Sequence, residues 1–255
     1  MSASVSVPLA TRGLRKLTLT EAKLLWRTPA ALLWSVVFPL AGVIVLGLVP
    51  GTRTPVKAFG GASVLQTYLP IIVGFTVVMM AVLFMPITLA TYRERGILRR
   101  MSTTPVTPRA LLAAQVAVNM GVQVAVTILI VVIVAAGFGT TLRQPLAFTV
   151  SFCLIVAAAA ALGMLVTAVS FTTRAAGAIG YVLFFTLMFF SGLWWPRAEM
   201  PMALRHVSDF TPMGAGVQAL QDSAAGHWAH PLYFAVLAGY AIVCGVLAGR
   251  FFRWE

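Results

Sequence analysis

The sequence predicts an all-α integral membrane protein with six transmembrane helices, an N-terminal interfacial helix and an outer-face re-entrant helical segment. Only 9% of its 255 residues are Asp, Glu, Lys or Arg, against roughly 25% in a soluble domain. The apolar residues gather into six uninterrupted runs, at 30–50, 69–91, 110–136, 146–171, 175–196 and 231–249. Each is long enough, at about 1.5 Å per residue, to cross a hydrocarbon core about 30 Å thick. None contains a charged residue or histidine, so each can satisfy its own backbone in lipid as a helix. Barrel strands alternate over about ten residues and do not read this way.

The basic residues set an orientation. With the N-terminus inside, the inner segments hold thirteen of the 18 Lys and Arg residues and the outer ones five, Arg53, Lys57, Arg143, Arg197 and Arg205. Both termini are therefore expected in the cytoplasm, and the N-terminal stretch is too long and polar for a secretory leader. The net charge of +12 is accounted for by anionic headgroups at the inner leaflet. No aromatic-interleaved basic stripe accompanies it, which excludes nucleic acid as a partner and leaves membrane lipid. Cys153 and Cys244 fall inside spans and read as small hydrophobes.

Two regions are expected: a cytoplasmic N-terminus, 1–29, and a transmembrane region, 30–255, with a cytoplasmic loop at 92–109 and an outer helical segment at 197–230. In 1–29, Thr18 and Glu21 have capping-box spacing and predict a helix start. Lys16, Thr20, Lys23 and Arg27 then share one face, with Leu17, Leu24 and Leu25 roughly opposite and Trp26 at headgroup depth. Lys16, Glu21, Lys23, Trp26 and Arg27 are the residues of interest there. Pro39, Pro70 and Pro86 are expected to loosen the first two spans.

The stretch TYRERGILRRMSTTPVTPRALLAAQ, 91–115, concentrates charge that the rest of the chain avoids. A helical pattern runs from the second span to Met101, and Thr107 with Pro108 reads as the start of the third span. Topology explains the arginines but not Glu94 or Gly96. Beyond the fifth span, 201–207 and 212–222 read as two short helices, the second capped by Thr211. They are expected to lie on the outer leaflet or dip into it beside Trp194, Trp195 and Trp228.

All six acids fall outside the spans, which disfavours proton coupling. No HExxH motif exists, and His227 and His230, three apart, lack a third ligand nearby. No metal site or enzymatic centre is expected. A GxxxxGK[ST] phosphate loop is also missing, so energy for any work must come from a partner.

YRERGILRRMSTTPVTPRALLAAQ resembles the cytoplasmic coupling loop of type-2 ABC exporter permeases, in particular the daunorubicin-resistance group. SGLWWPRAEMPMALRHVSDFTPMGAGVQAL is similar to that family's closing region. Ile97, where the family often has Thr, and TPMGA in place of Asn-Pro-Leu-Thr depart from the pattern. The resemblance implies an ATP-driven exporter's membrane subunit that moves a hydrophobic or amphipathic molecule such as a drug, antibiotic or lipid. It implies a second permease copy or a related permease, and cytoplasmic ATP-binding subunits that carry ATP and magnesium, with no cofactor in this chain. Arg93, Glu94, Arg95, Gly96, Arg99 and Arg100 would couple to the ATPase. Asn119, Gln123, Phe185 and Phe189 are the candidates for a substrate path, though polar side chains of this kind also hydrogen-bond between spans. The alternatives are a non-transporting assembly or scaffold subunit and, behind it, an ion-coupled carrier.

Overall fold

The computed structural model describes residues 7–56, 59, 61–97, 108–139 and 141–252. Six helices are long and apolar enough to span a membrane. The first helix, α1, is Val7–Trp26. The spans are α2, Pro29–Leu48, and α3, Val64–Glu94, then α4, Pro108–Phe138, α5, Pro145–Val169, α6, Thr173–Phe190, and α9, Pro231–Phe251. Between α6 and α9 lie α7, Met202–Asp209, and α8, Pro212–Ala225. With six spans, α1 and the end of α9 share one face, here called the terminal face.

Several boundaries differ from expectation for local reasons. The Thr18–Glu21 pair does not start a helix, because α1 already runs from Val7. Glu21 instead turns inward with Leu17 and Leu25, one helical turn to either side, and α1 packs on α4 along this face. The second span begins at Ser63, not near Leu69. Ser63 Oγ accepts from the Gln66 N–H at 3.2 Å and Gln66 Oε1 accepts from the Ser63 N–H at 3.0 Å. This reciprocal cap follows the S-x-x-Q pattern. The fifth span stops at Phe190, where 191–195 turn away and Gly192 takes a positive φ of 89°.

Pro39 and Pro86 each follow a π-helical turn, Leu33–Val37 and Met79–Phe84. A proline ring cannot donate to, and presses on, the carbonyl one turn earlier, and a widened turn relieves both problems. Pro70 sits in regular helix without such a turn.

The most enclosed span is α3, and its π turn is the packing centre. Gly163 of α5 faces the Ala81 carbonyl so closely that a Cβ there would overlap it. A Cβ on Gly180 of α6 would come within 2.8 Å of the Val82 carbonyl. Lipid offers no hydrophobic drive between spans, so close backbone contact of this kind carries much of the association. The alanine-rich stretch at 157–161 serves a similar end, as α9 runs along α5.

The helix α8 does not lie along the surface. Met213, Ala215, Val217, Ala219 and Leu220 are buried among α3, α5 and α9. Thr211 caps it, accepting from the Gly214 N–H at 3.0 Å. Gln221 donates to the Thr67 carbonyl at 3.0 Å, and Ser151 and Ser223 hydroxyls meet at 3.3 Å. By contrast α7 keeps a large apolar exposure, through Met202 and Val207. His230 caps α9, its Nδ1 accepting from the Leu232 N–H at 3.2 Å.

Candidate coupling site at the terminal face

Three consecutive residues at the end of α3 reach three other parts of the chain. The Tyr92 hydroxyl donates to both carboxylate oxygens of Glu21 on α1, at 3.0 and 3.2 Å. Arg93 Nη1 donates to the Ser170 carbonyl at 2.6 Å and the Thr167 carbonyl at 3.4 Å, at the end of α5. Its guanidinium also lies 5.8 Å from the Phe171 ring and 5.4 Å from the Phe252 ring. Glu94 accepts from the Thr173 N–H at 2.8 Å and the Thr173 hydroxyl at 2.6 Å, at the start of α6.

The charges match the helix ends they meet. A cation at the last carbonyls of α5 and an anion at the first N–H groups of α6 each complement the partial charge of that terminus. Consecutive helical residues point about 100° apart, which lets one turn of α3 address α1, α5 and α6. Thr91 adds a contact to Thr173 at 3.3 Å.

The helical pattern expected to continue to Met101 is interrupted here. The α3 helix ends at Glu94, and Arg95 and Gly96 form a turn with Gly96 at a φ of +65°. That left-handed conformation is favourable only for glycine, which gives Gly96 a structural reason to stand there. Arg99, Arg100 and Thr107 lie outside the described residues, and of Lys16 only the backbone is described. Lys23, Trp26 and Arg27 are exposed on the side of α1 away from Glu21, and Arg95 is exposed beside the turn.

Burial raises the pKa of Glu21 above its ordinary 4.5, against a smaller lowering by the Tyr92 hydroxyl. A raised carboxyl pKa means that the fold binds the proton more tightly than the unfolded chain does. The contribution of Glu21 to stability is then fully present below about 4.5 and is lost as pH rises through the folded value. Glu21→Gln keeps an acceptor for Tyr92 and removes the charge. It is expected to melt above wild type at pH 8 and with it at pH 4, checked by thermal unfolding in detergent; equal melting at both values would refute the assignment.

Asn119 and Gln123 are buried on α4, in a row with Gln115 and Thr127 at four-residue spacing. Asn119 donates to the Gln115 carbonyl at 2.8 Å. Gln115 Oε1, Gln123 Oε1 and Thr127 Oγ1 have no hydrogen-bond partner among the described residues. Gln115 was legible as the fourth member of this period, one turn before Asn119, and Tyr92 as the aromatic beside Arg93. Thr173 and Ser170 carried no local signal, because their roles come from across the bundle.

Phe185 is 55% exposed on α6. It stacks on Trp194 at 5.7 Å and meets Phe184 at 5.4 Å, and the row continues through Phe75 and Phe38 to Trp34 at steps of 5.2–5.5 Å. Phe189 pairs with Phe190 at 5.3 Å. The aromatic row joins α2, α3 and α6, whereas the amide row belongs to α4.

Residues 13–224 match the family model described as ABC-2 type transporter. The chain belongs to the ABC-2 type transporter family. The match runs from α1 to α8 and so includes the whole Tyr92–Glu94 junction. A search of curated proteins finds no match. The chain is thus a multi-pass membrane permease subunit of an ABC transporter, and membership implies partnership with an ATP-binding cassette subunit. No group of three metal-ligating side chains occurs among the described residues of this ABC-2 permease.

Proposed function

We propose that this permease exports a hydrophobic or amphipathic molecule, driven by ATP and magnesium bound on a cytoplasmic partner subunit. The terminal face is the cytoplasmic one in this reading, and a second copy or a related permease completes the membrane unit. The observation that carries it is the junction at Tyr92, Arg93 and Glu94. A push on the loop that follows Glu94 is delivered at once to α1, α5 and α6, and α3 conveys it to the bundle centre. The Arg95–Gly96 turn, with Lys23 and Arg27 of α1, supplies the exposed polar surface for that push.

The substrate class is supported by the aromatic row, which is exposed at Trp34, Phe38, Phe185 and Trp194 and buried at Phe75 and Phe184. Aromatic faces accept apolar and cationic groups without fixing one shape. Phe185→Ala is expected to lower vesicle transport of an aromatic amphiphile such as daunorubicin several-fold while leaving ATP hydrolysis without substrate unchanged. Equal transport rates would remove Phe185 from the path.

The direct test is recovery of the tagged permease from native membranes in mild detergent. A stoichiometric ATP-binding subunit, and ATP-dependent accumulation of substrate in inverted vesicles, are expected. Recovery without any ATPase would favour a scaffold subunit, and accumulation that follows an ion gradient would favour a secondary carrier.

A further inference from the structure

A cavity of about 680 Å³ opens on the face opposite the junction. It is bounded by the first turns of α3, the outer half of α4, the loop before α5, the turn after α6, and α8. Its volume lies within the range of small-molecule sites. Nothing in the coupling or aromatic-row reading uses it.

Its lining is chemically mixed. Leu69, Ile71, Val131 and Val134 supply apolar surface. Arg143, Arg197, Arg205, Asp222 and His227 are the titratable groups that line the rest, with Tyr68. Most of these charges already have partners. Arg197 pairs with Asp209 and donates to Ser208 Oγ at 3.0 Å. Arg205 donates to the Ala198 and Met200 carbonyls. Asp222 accepts from the His230 backbone N–H and faces His227.

Arg143 is different. It makes no hydrogen bond or ion pair with any described residue. Its stem is nevertheless placed: Arg143 Cβ and Cδ lie 3.2 and 3.3 Å from where a Cβ on Gly226 would stand. The glycine that closes α8 therefore makes room for the arginine against the cavity wall. Arg143 is exposed, its stem rests against Gly226, and no described residue takes up its donors, so a guanidinium here, in a cavity that also offers apolar side chains, is suited to a carboxylate or phosphate.

We propose that this cavity binds an amphipathic anion, with its acidic head on Arg143 and its apolar body against Leu69, Ile71, Val131 and Val134. The head can belong to a membrane lipid or to a free amphiphile that the permease carries. Binding requires neither ATP nor a partner subunit, so the inference goes beyond the export reading and stands or falls separately from it.

The test uses the full chain in phosphatidylcholine nanodiscs, titrated with 11-(dansylamino)undecanoic acid against empty nanodiscs. Saturable binding is expected. Arg143→Gln is expected to weaken it about tenfold or more, the effect of losing a charge-assisted hydrogen bond, and Arg143→Lys less. The methyl ester of the probe, which lacks the charge, is expected to bind weakly and equally to wild type and Arg143→Gln. An acid that binds Arg143→Gln as well as wild type, or an ester that binds wild type as well as the acid, overturns the proposal. Repeating the titration with phosphatidylglycerol in the nanodisc separates the sources. A weaker apparent affinity identifies lipid as the occupant of the anion site, and an unchanged one identifies the free amphiphile.

Discussion

Glu94→Ala is expected to abolish transport while the permease still inserts and still recovers its ATP-binding partner. Glu94 is exposed, so its removal leaves no buried charge or cavity. What it removes is the pair of hydrogen bonds that tie the end of α3 to the first turn of α6. Without them, movement of the following loop still reaches α1 and α5 through Tyr92 and Arg93 but loses the carboxylate tie to α6. Thr173 separates this account from a direct contact with the ATPase. Thr173→Val deletes the 2.6 Å hydroxyl bond and keeps the backbone one, and it is expected to lower transport in part, with ATP hydrolysis left running. The pair is measured by substrate accumulation per ATP hydrolysed in vesicles that hold the assembled transporter. Normal transport by Glu94→Ala would end the coupling assignment. Full transport by Thr173→Val beside a dead Glu94→Ala would move Glu94 from the junction to the partner's surface.

Gly163→Ala is expected to be the most damaging single methyl in the bundle. The added carbon would overlap the Ala81 carbonyl, and a backbone atom in a packed π turn cannot swing aside as a side-chain tip does. Overpacking of this sort costs about 1–3 kcal/mol, and α3 and α5 would have to separate around it. The apparent Tm in detergent should fall by several degrees, or the chain should fail to accumulate in membranes. Gly239→Ala is the control, since a Cβ at Gly239 meets nothing within 4 Å. It should melt with wild type or slightly above it, because alanine favours helix. Equal melting of the Gly163 and Gly239 variants would show that α5 does not press on the π turn.

Both variants act on α3, and the sequence already pointed to it. Its two prolines, its charged exit and its length marked a helix with unusual duties. The charge cluster was readable because charge is so rare elsewhere in the chain that every exception needs a reason. The roles within it were not, since Arg93 and Glu94 are defined by residues 77 and 79 positions away, at Ser170 and Thr173. Glu21 shows the same limit from the other side. Its spacing from Thr18 fits a capping box, yet the Tyr92 hydroxyl 71 positions away holds the carboxylate instead.

The sequence by itself determined the class of this protein, its six spans and the capped start of α8. These follow from hydropathy, length and local hydrogen bonding, which act within a turn or a span and need no knowledge of neighbours. Only the tertiary structure decided that α8 sinks among α3, α5 and α9, that Gly163 and Gly180 bring two spans against one π turn, and that Arg143 stands without a hydrogen bond or ion pair to any described residue beside a cavity of mixed lining. Those are contacts between distant segments, and in lipid they depend on the fit of small residues against backbone rather than on apolar pattern, so no periodicity in the chain announces them.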